Sequence, residues 1–195
     1  MSIIRTVTCA FVCFVFVSLS ANASPLNAGN VPRWIDSFEA VAAWGEDNQD
    51  RFGDDEIFEP APPAFNPMAP MPHIDVEKLR HPFSNAVKAA RAEGLEPEFA
   101  SVVRPHGFTP DQWGDVGDHV LRAYMALQME GHGNIKEQLG AAISQMRAMG
   151  QEHFVSNIER SLSMIDALTD STPEDMDLVR PHAGRMQSYF GSFGQ

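Results

Sequence analysis

The chain has 195 residues, and 14 Lys and Arg stand against 26 Asp and Glu, which gives a formal net charge of −12 at pH 7. This balance excludes a nucleic-acid-binding footprint and disfavours an anionic membrane surface, because both require a surplus of basic side chains. The length favours a single globular domain after any leader is removed.

Residues 1–23 are predicted to be a cleavable signal peptide. Arg5 precedes an apolar run over residues 7–19, which is shorter than the roughly 20 residues that a membrane-spanning helix needs. The small residues Ala21 and Ala23 fit a signal peptidase, so we expect cleavage after Ala23. The mature protein is therefore expected to be exported, periplasmic or secreted, with no integral membrane segment.

Export also removes both cysteines, because Cys9 and Cys13 lie inside the predicted leader. A mature chain without thiols has no disulfide, no thiolate metal ligand, no haem attachment pair and no cysteine nucleophile. A chain of this size buries enough surface to fold without a disulfide.

Residues 24–74 are predicted to form a helix, an acidic loop and an extended arm. Asn30 is the candidate N-cap and Pro32 lies in the first turn. The apolar residues that follow repeat every three or four positions, as on one face of a helix: Val31, Trp34, Ile35, Phe38, Val41 and Ala42. The acidic residues at 46–59 are predicted to be a solvated loop, because a calcium loop over 48–59 would have Phe52 at its fifth, oxygen-donating place.

Six prolines between residues 60 and 72 exclude a regular helix or a central strand there. The segment is predicted to be a semi-rigid linker of polyproline type. Its apolar residues Phe65, Met68 and Met71 either lie across the following domain or bind another molecule.

From Asp75 onward every segment has a helical period. The first helix is expected to kink or restart near His81, before Pro82, and to stop at Gly94. After a shorter element around residues 99–103, the sequence from Thr109 to Gln112 predicts a capping box. The helix that it opens carries these apolar-face residues: Trp113, Val116, Gly117, Val120, Tyr124 and Leu127.

Three more helical patterns follow, beginning near Ile135, Val155 and Thr172, and Pro181 is expected to bend or split the last of them. No stretch alternates with period two. The sequence therefore predicts an all-α, antiparallel bundle of about four to six helices over residues 75–195, preceded by the extended proline-rich arm. The tetrapeptide Val-Arg-Pro-His occurs at 103–106 and at 179–182, and we attribute it to chance or to a similar helix-end geometry, since the flanking residues align poorly.

The main enzyme motifs are absent, including Gly-x-Ser-x-Gly, His-Glu-x-x-His and the phosphate-binding loop, and no cofactor is expected. Asp115 and His119 are the candidate metal ligands, because they lie four residues apart on one helix, with Asp118 beside them. This face is predicted to be the polar side of the helix, opposite Trp113 and Val120. Two ligands without convergent partners do not make a site, so ordinary surface residues are the favoured interpretation.

One local pattern resembles small exported helical proteins of Gram-negative bacteria. It comprises residues 107–113 and 117–124, within a likeness that covers about residues 95–130. The resemblance implies an exported compartment and a helical fold, and it carries no catalytic residue.

The residues that carry this resemblance are predicted to be structural anchors: Gly107, Phe108, Trp113, Gly117 and Tyr124. Gly114 and Gly117 predict that another group packs closely against this helix. We favour a neighbouring helix over a ligand as that group.

The preferred function is a non-enzymatic interaction protein that binds apolar segments of envelope proteins. Numerous methionines suit either core filling, which we favour, or a surface that accepts varied apolar partners. The alternatives are a metal-binding or metal-buffering protein that uses histidines and acidic residues, and an enzyme without a linear motif.

Overall fold

A computed structural model describes residues 25–51, 75–130 and 135–190. The leader and the proline-rich arm lie outside these residues. Within them the chain is all-α, without a strand, as predicted. The helices are α1 (Asn30–Asp47), α2 (Val76–Arg80), α3 (Pro82–Ala92), α4 (Glu96–Val103), α5 (Pro110–Glu130), α6 (Ile135–Ala148), α7 (Glu152–Thr169), α8 (Pro173–Val179) and α9 (Ala183–Phe190).

Prolines divide two of the predicted helices into pairs. His81, the residue before Pro82, takes φ −132° and ψ 50° and separates α2 from α3, because a residue that precedes proline is kept out of the helical region. Pro181 lies in a short 3-10 turn, Arg180–His182, between α8 and α9. When each of these two pairs is counted as one interrupted helix, the described part of the chain after residue 75 has six helices. This number agrees with the predicted bundle.

The two Val-Arg-Pro-His tetrapeptides adopt the same local structure. In each, the valine is the last residue of an α-helix, and this residue, Val103 or Val179, is fully buried. The Arg-Pro-His that follows forms one 3-10 turn. This finding favours the interpretation of a shared helix-end geometry.

Side-chain caps begin two of the long helices. At α5, the Thr109 amide donates to Gln112 Oε1 (3.1 Å) and the Gln112 amide donates to Thr109 Oγ1 (3.3 Å), which confirms the predicted capping box. At α1 the prediction of Asn30 as the cap was wrong. Asn27 Oδ1 accepts from the Asn30 amide (2.9 Å), and Asn30 Oδ1 accepts from the Asn27 amide (2.8 Å), so the reciprocal cap lies three residues earlier.

Aromatic rings form the centre of the core. Trp34 of α1, Phe83 of α3 and Trp113 of α5 lie with ring centroids 5.0–5.5 Å apart. The indole of Trp34 donates to the Trp113 carbonyl (3.0 Å), and the indole of Trp113 donates to Ser37 Oγ (2.7 Å). Because both indole N–H groups are paired, the rings are buried without an unsatisfied donor. Helix α1 therefore shares one core with the helices that follow the arm.

The chain forms two layers around α5. Residues of α1, α3, α4, α5, α8 and α9 make the hydrophobic core. Helices α2, α6 and α7 contribute none of the residues of that core cluster; α7 packs on α2, α5 and α6. We call α2, α6 and α7 the outer layer. No helix in the described ranges is long and apolar enough to cross a membrane.

Glycines allow α5 to lie directly on α3. A Cβ at Gly114 would lie 2.9 Å from the Ser84 Cα atom, and a Cβ at Gly117 would lie 2.8 Å from Trp34 Cζ2 and 2.9 Å from the Phe83 ring. These separations are shorter than van der Waals contact. The close approach that the two glycines predict is therefore made by a neighbouring helix.

We expect Gly117→Ala to destabilise the protein by about 1–3 kcal/mol, because the added methyl group would force Trp34 and Phe83 out of place. Gly140→Ala on α6 is the matched control, since a Cβ there meets nothing within 4 Å. That variant should stabilise the protein by about 0.5–1 kcal/mol through helix propensity. Urea unfolding measures both, and equal effects of the two variants would contradict the close packing.

Candidate functional site

The described structure concentrates its buried charge where α5 passes the break between α2 and α3. We call this region, formed by Arg80, His81, Pro82 and the α5 side chains facing them, the helix junction. The side chain of His81 does not cap α3. Instead Asp118 Oδ1 accepts from the Phe83 amide (2.8 Å) and the Ser84 amide (3.4 Å). Since the first N–H groups of a helix have no partner within it, α5 supplies the cap of α3.

One turn further along α5, Arg122 binds the other end of the break. Its Nη1 atom donates to the Arg80 carbonyl (2.8 Å), the last carbonyl of α2. Asp118 and Arg122 are 1% and 7% exposed. An anion thus faces the amino end of α3 and a cation faces the carboxyl end of α2, the arrangement that the charges of helix ends favour.

His81 joins the same carboxylate. Its Nδ1 atom lies 3.3 Å from Asp118 Oδ2, and its side chain is 45% exposed. Burial raises the pKa of Asp118, and hydrogen bonds from the Ser84 hydroxyl and from the Phe83 and Ser84 amides oppose that rise. Burial lowers the pKa of Arg122, and the charge of Asp118 opposes that change. The charge of Asp118 therefore helps to hold Arg122 in its charged form.

A cleft of about 260 Å³ opens beside the junction, lined by His81, Ser84, Val87, Lys88 and Asp111. A buried carboxylate that binds one ring nitrogen of a histidine orients the imidazole and leaves the other nitrogen as an acceptor. The Ser84 amide also lies against this carboxylate, 3.4 Å from Asp118 Oδ1. His81, Ser84 and Asp118 therefore form one polar network beside the cleft.

The candidate metal ligands do not converge. Asp115 is exposed to solvent, whereas His119 is partly buried, with Nδ1 4.0 Å from Asp175 Oδ2. In residues 25–51, 75–130 and 135–190, no three His, Cys, Asp or Glu side chains are placed to hold a metal ion. At the start of the acidic stretch, Asn48 Oδ1 accepts from Arg51 Nη1 (3.0 Å), and residues 52–59 lie outside the described ranges.

The predicted anchors surround the core end of α5. Gly107 takes φ +83°, a conformation that favours glycine. The Gly107 amide donates to the Arg104 carbonyl (2.9 Å) and the Phe108 amide donates to the Val103 carbonyl (3.3 Å), as in a Schellman motif. The four other anchors are buried: Phe108, Trp113, Gly117 and Tyr124.

The prediction that Asp118 lies on a polar, solvated face was wrong. The position is buried because α3 begins directly over it, with its first amides aimed at the carboxylate. The sequence carries a signal that points to this role. An Asp and an Arg stand one turn apart on a helix whose glycines, Gly114 and Gly117, leave room for a close neighbour. The partner of that pair is a helix break 35 residues away, which helical periodicity does not show.

Comparison of the chain with protein-family models, with curated proteins and with solved structures gave no match. The resemblance of residues 95–130 to small exported helical proteins therefore stays a prediction.

We expect Asp118→Ala to lower the free energy of unfolding by about 2–3 kcal/mol, because it removes the cap of α3 and leaves buried amides unpaired. Asp115→Ala, on the exposed side of the same helix, should change it by less than about 0.5 kcal/mol. Thermal and urea unfolding of both variants measure the difference. Comparable losses would show that Asp118 does not cap α3.

We expect His119 to make the folded state less stable in mild acid. Burial, and then the charge of Arg122, lower the pKa of His119 below its ordinary value of 6.5. The unfolded chain therefore binds a proton more readily than the folded chain in this range, and this contribution to stability falls as the pH drops below about 6.5. Urea unfolding measures the free energy of unfolding at pH 7.5 and at pH 5.5. The decrease between the two pH values should be smaller for His119→Gln than for the unaltered protein, and identical decreases would exclude the effect.

Proposed function

We propose that this chain is a non-enzymatic, exported helical interaction protein that binds apolar segments of other envelope proteins on its outer layer. The observation that supports this most directly is the poor burial of α6. Of its 14 residues, only Ile143 is buried, although its apolar residues repeat with helical period. A helix with an apolar stripe that the protein itself leaves partly exposed is suited to a partner.

Half-buried apolar side chains lie on both α6 and α7. The larger of them belong to the following residues: Ile135, Leu139, Met146, Ile158, Leu162, Met164, Ile165 and Leu168. None of them belongs to the core cluster or packs against it. Met149, 55% exposed, is the exposed large hydrophobic residue of the described chain. The surface therefore combines apolar area with access from solvent.

Methionines at the end of α6 suit partners of varied shape. Met146 is half-buried and Met149 is exposed, one turn apart and just before Gly150. The thioether is flexible and polarizable, so it packs against many different apolar side chains. This supports a binder of apolar segments in general over a binder of one fixed ligand.

Ion pairs brace the two helices independently of the core. Lys136 Nζ lies 2.6 Å from Asp166 Oδ1 near one end of the α6–α7 pair, and Arg147 bonds to Glu159 near the other. These pairs are exposed, so each contributes little free energy. They nevertheless connect α6 to α7 near both ends of the helix pair.

The proposal is tested with a 20-residue amphipathic Leu/Lys helical peptide as the probe. We expect Met149→Glu to weaken peptide binding by about tenfold, because it places a charge where an apolar side chain would be buried. The matched control is Gln145→Glu, which adds the same charge at an exposed position of α6, four residues before Met149. Isothermal titration calorimetry measures both dissociation constants.

The unaltered protein should also delay the aggregation of a chemically unfolded client, and Met149→Glu should do so less well than Gln145→Glu. No peptide binding together with no delay of aggregation would overturn the proposal. Equal weakening by the two variants would place the binding surface elsewhere.

A further inference from the structure

We propose that the outer layer opens from the core as one unit, turning about the helix junction, and that the opening exposes the inner side of α7 to the same apolar partner. This inference rests on the proposed function for its partner. The opening itself rests on the construction of the two layers.

The outer layer is weakly buried. Helix α2 has no buried residue and α6 has one. Helix α7 adds Val155, Ser161 and Ala167, of which only two are apolar. Elements with few buried apolar side chains open at a lower free energy than the core does.

The outer layer is also held together internally. Arg80 Nη1 of α2 lies 3.1 Å from Asp170 Oδ2, just after α7, and the ion pairs of Lys136 and Arg147 join α6 to α7. Its three helices are thus connected to each other through contacts that an opening motion does not break. They are expected to move together.

The layer is attached to the core through the packing of α7 on α5 and through two polar contacts at the junction. The polar contacts are the hydrogen bond from Arg122 to the Arg80 carbonyl and the contact between His81 and Asp118. Both sit where the chain crosses from α2 into α3, at a residue that is outside the helical region. A backbone break flanked by two rigid helices is the usual position of a hinge.

Unpaired polar atoms lie at both described crossings between the layers. Arg80 Nε, at the junction, and Ser171 Oγ, between α7 and α8, are buried without a hydrogen-bond partner in the described chain. A buried polar atom without a partner destabilises the closed arrangement. Opening exposes both atoms to water, and their hydration offsets part of the free energy that is lost when the packing of the layer is broken.

Native-state hydrogen exchange tests the opening. In the unaltered protein we expect amides of α2, α6 and α7 to exchange through a common opening that is more frequent than the opening of α1, α3 and α5. This measurement does not depend on whether a variant folds. If the amides of α2, α6 and α7 exchange only when the core also unfolds, the inference is wrong.

Arg122→Leu should speed exchange in the outer layer by about ten- to a hundredfold, because the Arg80 carbonyl loses a charged hydrogen-bond donor. Amides of α1 and α3 should keep their rates. The control is Arg180→Leu, which removes an exposed arginine bound to Glu130 and should leave the layer unchanged. A uniform acceleration across the chain in Arg122→Leu would contradict a separate opening.

Binding of the Leu/Lys peptide separates this inference from the proposed function. If the opening admits the partner, Arg122→Leu should tighten apparent binding by up to the factor by which the open fraction rises, and Arg180→Leu should not. Opening without any peptide binding would refute the function and leave the opening intact. Peptide binding that Arg122→Leu does not change would refute the coupling of the two.

Discussion

The fold depends on how α5 completes an interrupted helix. Proline at position 82 stops α2 and starts α3, which leaves amides and a carbonyl without helical partners inside the protein. Asp118 and Arg122, one turn apart, supply an acceptor and a donor for those groups. They reach the break because Gly114 lets α5 approach the backbone of Ser84, and Gly117 makes room for the rings of Trp34 and Phe83. The glycines and the two charged side chains are therefore two parts of one structural requirement.

This arrangement explains the unequal burial of the two layers. The aromatic core is built from helices on the α3 side of the break, where Trp34, Phe83 and Trp113 interlock and both indole donors are paired. On the α2 side, the described buried apolar side chains are few: Ile143, Val155 and Ala167. The proline that interrupts the helix therefore also divides a densely buried part of the molecule from a weakly buried part, and the proposed binding surface lies on the second part.

Periodicity and cap chemistry were enough to predict the all-α class, the breaks at His81 and Pro181, and the capping box of α5, because each is set by residues close together in sequence. The cap of α1 was misplaced, since Asn27 and Asn30 are both good caps and only the chain path selects between them. Asp118 was assigned to a solvated face because a charged residue between apolar ones usually marks the polar side of a helix. Its burial follows from a partner in another helix, and one helix's pattern carries no information about that partner.

Polar contacts between the two layers affect the free energy of their separation differently from apolar contacts. Apolar side chains at the junction would hold α2 by area alone, and exposing them to water would cost free energy in proportion to that area. Arg122 instead regains hydration on opening, because burial disfavours its charged form, as the direction of its pKa shift shows. Asp118 stays on the amides of α3. The junction therefore has a specific geometry when closed and requires little free energy to open. That combination suits a protein whose binding surface is completed by a small rearrangement of helices that are already formed.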